Sequence, residues 1–263
     1  MLRHRGGCVG RAVSGGGMAT RIAPLAVTLD LDDTLWPVQP ALERADHAVD
    51  AWLLEHYPQV AASWSIDAMR ALRAQVAESR EDLAHDFSTQ RRLTMQQVFA
   101  ASGIHDAPLD LLWEIYFAER NHVDLYPDSL DALRRIARLV PVASLTNGNA
   151  DLRRIGIHAH FAHHVCAGNA GFAKPDPRIF LAAAAQLGVA AQDILHVGDD
   201  PLLDIVGAQR VGLRTAWINR LGESWPAAFG APPELELRDL GELADWLEHA
   251  HQAGPPPFAT TPR

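Results

Sequence analysis

Short apolar runs recur along this chain, and the strongest of them end in clusters of acids, amides or hydroxyls. The runs lie at 24–29, 140–145, 194–197 and 214–218, with a weaker one at 164–166. They are predominantly apolar rather than strictly alternating, which suits strands buried on both faces of a parallel sheet. Helical stretches around 128–139, 176–187 and 203–211 separate them and supply right-handed crossovers. The pattern predicts an α/β fold, a Rossmann-like parallel sheet with helices on its faces.

One long segment breaks this rhythm. From Val38 to Leu125 there is a single glycine, Gly103, and apolar residues return at helical spacing. Leu109, Leu112, Trp113, Tyr116 and Phe117 form one such stripe. Ala45, Val49, Trp52 and Leu53 form another, and Ile66, Met69, Leu72 and Val76 a third. A fourth helix is expected from about Ser88 to Ala101, with Pro58 and Gly103 as breakers. The expected organisation is a core domain of residues 21–37 and 126–250 with a helical cap, 38–125, inserted after the first strand. Residues 1–20 and 251–263 read as disordered ends, the first Gly- and Arg-rich and the second Pro-rich.

Composition narrows the partners. The net charge is −9, and the arginines near the start make the rest of the chain more acidic still. Duplex nucleic acid is therefore not expected, because phosphate contacts need clustered Lys and Arg. No apolar run approaches the ~20 residues of a membrane span. Cys8 and Cys166 match no zinc or redox spacing. The expectation is a cytoplasmic enzyme or small-molecule binder, monomeric or homodimeric.

In open parallel sheets ligands bind beyond the carboxyl ends of the strands. The first run is followed by Asp30-Leu31-Asp32-Asp33-Thr34, the second by Thr146-Asn147-Gly148-Asn149 and the fourth by Gly198-Asp199-Asp200, with Asp204 beyond. Lys174-Pro175-Asp176 follows the weak run. Crowded carboxylates repel one another unless a cation intervenes. Asp30, Asp32 and Asp199 offer oxygen-only ligands that suit Mg²⁺. Lys174, the Thr146 hydroxyl and the backbone N–H of Asn147 complement a phosphate. Together these are the parts for phosphoryl transfer through an aspartyl-phosphate.

In these motifs and their order the chain resembles the haloacid dehalogenase superfamily: DxDxT at Asp30–Thr34, then Thr146, Lys174-Pro175 and GDxxxxD from Gly198 to Asp204. The resemblance implies Asp30 as nucleophile and Asp32 as general acid/base. It implies Mg²⁺ on Asp30, the Asp32 backbone carbonyl and Asp199, with Thr146, Asn147 and Lys174 on the phosphoryl group and Asp204 supporting. The superfamily's dehalogenases carry Tyr where Asp32 stands, which favours a phosphatase of small phosphorylated metabolites. His85-Asp86, Arg91-Arg92, the run 145–150 and His196–Asp200 look like the YigB-type subgroup. That subgroup hydrolyses flavin mononucleotide and the ribitylamino-uracil phosphate of riboflavin biosynthesis. A phosphomutase or phosphotransferase acting on a sugar phosphate, and a catalytically silent binding module, are the alternatives.

Other positions divide. Arg91 and Arg92, with little acid nearby in sequence, are candidates to grip substrate, as are Asn121 and His122. The Trp and Phe residues of the cap stripes read mostly as core, and Trp36, directly after the first motif, is a candidate to line the crevice. Asp33 should point away from the catalytic pair, and Asp200 could anchor neighbours or face the metal. His158, His160, His163 and His164 fit no familiar zinc spacing and read as packing or surface residues.

Overall fold

The computed structural model describes residues 23–253. The expected disordered ends lie largely outside that span, as does Cys8, while Cys166 is a free thiol. Residues 251 and 252, expected in the disordered tail, are helical.

The chain enters through β1 (Ala26–Leu29), whose residues are all buried. It then builds α1 (Val38–His56), α2 (Pro58–Ser63), α3 (Ile66–Ser79), α4 (Phe87–Ala101) and α5 (Leu109–Arg120). The sheet pattern resumes with α6 (Ser129–Leu139), β2 (Val142–Thr146), α7 (Leu152–Ile155), β3 (His163–Cys166), α8 (Ala167–Ala170), α9 (Pro177–Leu187) and β4 (Ile194–Gly198). A π-helical turn at Pro201–Val206 leads into α10 (Gly207–Gln209), β5 (Arg214–Ile218), β6 (Leu235–Leu237) and α11 (Leu240–Gln252). The strands form one six-stranded sheet, order β3-β2-β1-β4-β5-β6, with every pairing parallel. Among the described residues no helix is long and apolar enough to cross a membrane.

Apolar strands in the middle of such a sheet need cover on both faces. Leu29, Leu133, Ile136, Val197 and Leu243 belong to the core under α6 and α11. Ala26, Leu145, Ile179, Phe180 and Ile194 belong to the core under α9. A third cluster, with Leu53, Val98, Phe99 and Leu112 fully or almost fully buried, lies within α1–α5. Burying a side chain of that size contributes about 1.5–3 kcal/mol, so the inserted helices have a core of their own.

The insertion leaves and re-enters the sheet domain at one place. The Leu35 carbonyl accepts from the Tyr126 amide at 3.0 Å and from the Ser129 hydroxyl at 2.8 Å. Asp33 makes the outgoing turn with a left-handed φ of 61°, a conformation Asp tolerates better than most residues. Its carboxylate accepts from the Val38 amide at 3.0 Å, capping α1 where Pro37 cannot. Arg220 clamps the same corner, donating to the Thr34 carbonyl and, through both terminal nitrogens, to Asp128.

Strand order changes direction at β1: the chain runs outward through β2 and β3, then returns to the other side of β1 with β4. A crevice forms beyond the carboxyl ends of strands at such a switch point. Asp30 stands there, its amide continuing the ladder by donating to the Val197 carbonyl at 2.9 Å.

Candidate active site

The polar clusters of the strand ends meet at that crevice. The Lys174 ammonium is buried, 2.6 Å from Asp204 Oδ1 and in direct contact with Asp30 Oδ1. Asp204 also accepts from His196 Nε2 at 3.1 Å, and Thr28 Oγ1 lies 2.9 Å from His196 Nδ1. Burial holds His196 below its ordinary pKa despite Asp204. A neutral ring donating from Nε2 to Asp204 then accepts the Thr28 hydroxyl at Nδ1. Gly198 is part of this arrangement, because a Cβ there would stand 2.3 Å from the Asp204 carboxyl carbon. The glycine of the GDxxxxD pattern is what lets Asp204 fold back onto the end of β4.

Thr34 Oγ1 sits between two carboxylates, 3.2 Å from Asp30 Oδ2 and 3.0 Å from Asp199 Oδ1. Burial pushes Asp30 well above the usual carboxylate range despite Lys174. Burial, with the charge of Asp204, pushes Asp199 up to about 7. Burial acts on Asp204 in the same direction, but Lys174 and His196 outweigh it and hold that carboxyl at about 2. Oxygens of Asp30, Asp199 and Asp204 all lie within 4.8 Å of one another. Three crowded carboxylates, two of them driven toward neutrality, form a site short of positive charge, and an all-oxygen donor set fits a hard divalent cation. Since Asp204 is held by Lys174 and His196, Asp30 and Asp199 are the more available ligands.

Asp32 faces the other side of the crevice. Its Oδ1 accepts from Trp36 Nε1 at 2.9 Å, and Arg120 Nη2 reaches Oδ1 and Oδ2 at 2.8 and 2.7 Å. Trp36 is fully buried and therefore does not line the crevice as its position suggests; it orients Asp32 from behind. Arg120, the last residue of α5, was not singled out by the motifs. A signal for it exists, since Leu112, Tyr116 and Arg120 follow at i+4 steps on the buried face of the helix. A charge on an apolar stripe marks a buried partner.

The Thr146 hydroxyl accepts from the Gly148 amide at 2.9 Å, which turns the loop after β2 and leaves the hydroxyl hydrogen for a ligand. The Asn147 side chain is already committed, accepting from the Lys174 amide at 2.7 Å and donating to the Lys174 carbonyl at 2.9 Å. Its side chain thus places the lysine, while its backbone N–H remains the group to meet a phosphate. Asp200 caps the turn after β4, accepting from the Leu202 and Leu203 amides.

The cap closes the crevice into a cavity of about 400 Å³ lined by Asp30, Asp32, Thr146, Lys174 and Asp199 below and by Arg73, Arg91, Tyr116 and Arg120 above. Both cap arginines expected to lack acids have partners brought from other helices. Arg91 pairs with buried Asp46 of α1 at 2.8 Å and lies over the Tyr116 ring. Arg92 pairs with Asp110 at 2.6 Å and lines a neighbouring groove instead. Asn121 is structural, accepting from the Asp151 amide at 2.6 Å. The side chain of His122 is exposed. His164 contacts Ser144 Oγ at 2.6 Å on the edge of the sheet.

The adjoining groove, of about 680 Å³, shares Phe87, Asn147, Gly148 and Asn149 with the catalytic cavity and adds Trp113 and Phe117.

Comparison with known proteins agrees with the geometry. The chain is 30% identical over 236 residues to the 5-amino-6-(5-phospho-D-ribitylamino)uracil phosphatase YigB of Escherichia coli, covering 84% of this chain and 95% of that one. It is 32% identical over 188 residues to a phosphoserine phosphatase of Thermus thermophilus, 69% of this chain and 70% of that one. Among solved structures, a 2-haloacid dehalogenase of Pseudomonas syringae superposes with a TM-score of 0.80 at 33% identity, covering 87% of this chain and 99% of that one. The family model for haloacid dehalogenase-like hydrolases matches residues 24–212, a span that runs from the first strand to beyond Asp204, and the chain belongs to that family of hydrolases.

Proposed function

We propose that the chain is a Mg²⁺-dependent phosphatase that hydrolyses small-metabolite phosphomonoesters through an aspartyl-phosphate on Asp30. The observation that carries this reading is the pair of carboxylates set to different tasks. Asp30 lies against Lys174 at the floor of the cavity, and Asp32 is held across from it by Trp36 and Arg120. An Asp30 oxygen attacks phosphorus and the ester P–O bond breaks. Asp32 gives its proton to the departing alkoxide, then takes one from the water that cleaves the aspartyl-phosphate and frees phosphate. Lys174 and the Thr146 hydroxyl meet the phosphoryl oxygens. Asp30, the Asp32 backbone carbonyl and Asp199 would hold the Mg²⁺, which when bound offsets negative charge between carboxylates and phosphoryl group.

Relatives named as dehalogenases make haloacid chemistry the second reading. Expelling halide from carbon needs no proton donor, whereas an alkoxide leaving group does, so Asp32 favours the phosphatase. For the substrate, the name of the E. coli relative supports a ribitylamino-uracil phosphate, and flavin mononucleotide is its chemical neighbour. The aromatic groove beside the catalytic cavity offers planar rings a place to stack.

The test is phosphate release from flavin mononucleotide, the ribitylamino-uracil phosphate, phosphoserine, and sugar and nucleotide monophosphates, beside halide release from 2-chloropropionate. It is run with Mg²⁺, with EDTA and with Asp30→Asn. Metal-dependent phosphate release abolished by Asp30→Asn is expected, strongest on the ribityl and flavin esters. Halide release without phosphate release would overturn the reading, and a new phosphate ester in place of free phosphate would make the enzyme a phosphotransferase.

A further inference from the structure

Among the described residues Phe87 is the one aromatic side chain that stays exposed, at 47%. It is also the one exposed large apolar residue among them that lines the catalytic cavity. Exposed apolar side chains scattered over a surface are ordinary, but a bare ring in the wall of a cavity is area that a ligand covers. Within the described residues no other ring stacks on Phe87 and no cation lies over it. The other rings of the adjoining groove are already partnered. Trp113 and Phe117 stack on each other with centroids 5.1 Å apart, and Arg92 and Arg154 lie over them at 5.3 and 4.8 Å.

The backbone that carries Phe87 is fixed at both sides. Asp86 caps α4, accepting from the Thr89 amide at 2.9 Å and the Thr89 hydroxyl at 2.6 Å. Gln90, buried one turn on, donates to the Leu83 carbonyl at 2.7 Å. Ser88 Oγ accepts from Asn149 Nδ2 at 3.1 Å, so the cap meets the loop after β2 at the residue next to the ring. Phe87 and residues 147–149 of that loop are the residues common to the catalytic cavity and the groove. They form the threshold between the two. The same loop carries the Asn147 backbone N–H that faces the phosphoryl site, so an ester seated on Asp30 whose alcohol outgrows the cavity passes Phe87 on its way out.

We propose that Phe87 is a specificity-determining residue: its ring packs against a planar ring of the leaving alcohol where that alcohol crosses from the catalytic cavity into the groove. The inference rests on the phosphatase reading and deepens it, since it gives the preferred substrates as phosphomonoesters of ring-bearing alcohols. The contact lies away from the reacting bond and is made equally in ground and transition states, so it acts through KM.

Flavin mononucleotide and ribitol 5-phosphate share the phosphorylated chain and differ in the ring. Steady-state phosphate release from both, with Mg²⁺, should show a lower KM for the flavin ester in the parent. Phe87→Ala should cut the flavin preference, the ratio of the two kcat/KM values, by about tenfold, through KM and not kcat. Phe87→Trp should restore the preference, and Phe87→Leu, apolar but without a flat face, should recover only part. Flavin fluorescence reads the contact apart from turnover. Adding Phe87→Ala to Asp30→Asn should weaken binding of flavin mononucleotide about tenfold and relieve its quenching.

A parent without flavin preference would overturn the inference, as would a Phe87→Ala enzyme that keeps the preference or loses kcat equally on both esters. If Phe87→Ala does not fold, Phe87→Leu decides: a reduced preference supports the ring contact, and the parent's preference overturns it. Phosphate release with flavin binding independent of Phe87 would remove the inference and leave the phosphatase. Phe87-dependent flavin binding in a protein that releases phosphate from no ester would overturn the phosphatase reading and leave the ring contact standing.

Discussion

Gly148 sits where three groups of the site converge, and replacing it with alanine tests their placement. Its φ is not among the positive values that favour glycine, so alanine fits the backbone and the effect is steric. The added Cβ would stand 2.5 Å from Asp32 Oδ2. To reach van der Waals separation the carboxylate must retreat by about 0.9 Å. It has little freedom to do so, since Trp36 Nε1 and Arg120 Nη2 hold it at 2.7–2.9 Å. A shift of this size breaks at least one of those bonds and moves the acid/base group off line. Misplacements near 1 Å cost about 10²-fold in rate, so kcat should fall by about that factor. Stability should fall by only about 1–2 kcal/mol, a charged hydrogen bond lost against the smaller entropy gain of Gly→Ala. Steady-state phosphate release and urea denaturation measure both. A Gly148→Ala enzyme within about threefold of the parent kcat, with unchanged stability, would refute the placement of Asp32.

Three further outcomes follow from geometry already described. Lys174→Met leaves Asp30 and Asp204 facing each other in a buried site, and denaturation should show a loss of about 3–5 kcal/mol along with turnover. Asp33→Asn should be nearly neutral in thermal melts. Asp33→Ala, which loses the cap of α1 at a left-handed φ, should cost about 1–2 kcal/mol. Asp128→Asn probes the corner clamp: burial opposes ionisation of Asp128, but Arg220 and the Leu240 amide hold its carboxyl below the ordinary value. A depressed folded pKa stabilises above the unfolded value of about 3.9 and is lost as pH falls through the folded value. The melting-temperature gap between parent and Asp128→Asn should therefore be full at neutral pH and shrink in acid.

The sheet was legible because strands buried on both faces are predominantly apolar, and 24–29, 140–145 and 194–197 are, with only Thr28, Ser144 and His196 as buried polar residues among them. β6 was not, being three residues at an edge with its central Glu236 exposed. α11 went unread as well, whereas Pro58 does punctuate the helices: α1 ends at His56, and Pro58 opens α2 at its first turn, where a missing N–H does no harm. At the site, the residues with sequential spacing were legible: Asp30, Asp32, Thr146, Lys174, Asp199 and Asp204 converge. What could not be read was pairing across helices. Asp46 lies 45 positions from Arg91, and Asp32 lies 88 from Arg120, in the chain, yet folding pairs each with its arginine. Trp36 and His196 are buried polar supports whose partners only folding reveals.

The carbonyl of Leu35 receives both Tyr126 and Ser129, so the 88 residues between Val38 and Leu125 are tied to the sheet by a doorway one residue wide. An insert whose ends meet can be lengthened, shortened or exchanged without disturbing strand order or the catalytic strand ends. Lineages sharing this sheet are thus free to trade one roof for another and so change clientele while keeping their chemistry. That freedom stops at Arg120, a roof beam that reaches down to an acid of the floor: a transplanted cap that arrives without it would bring a new clientele but leave Asp32 without its arginine.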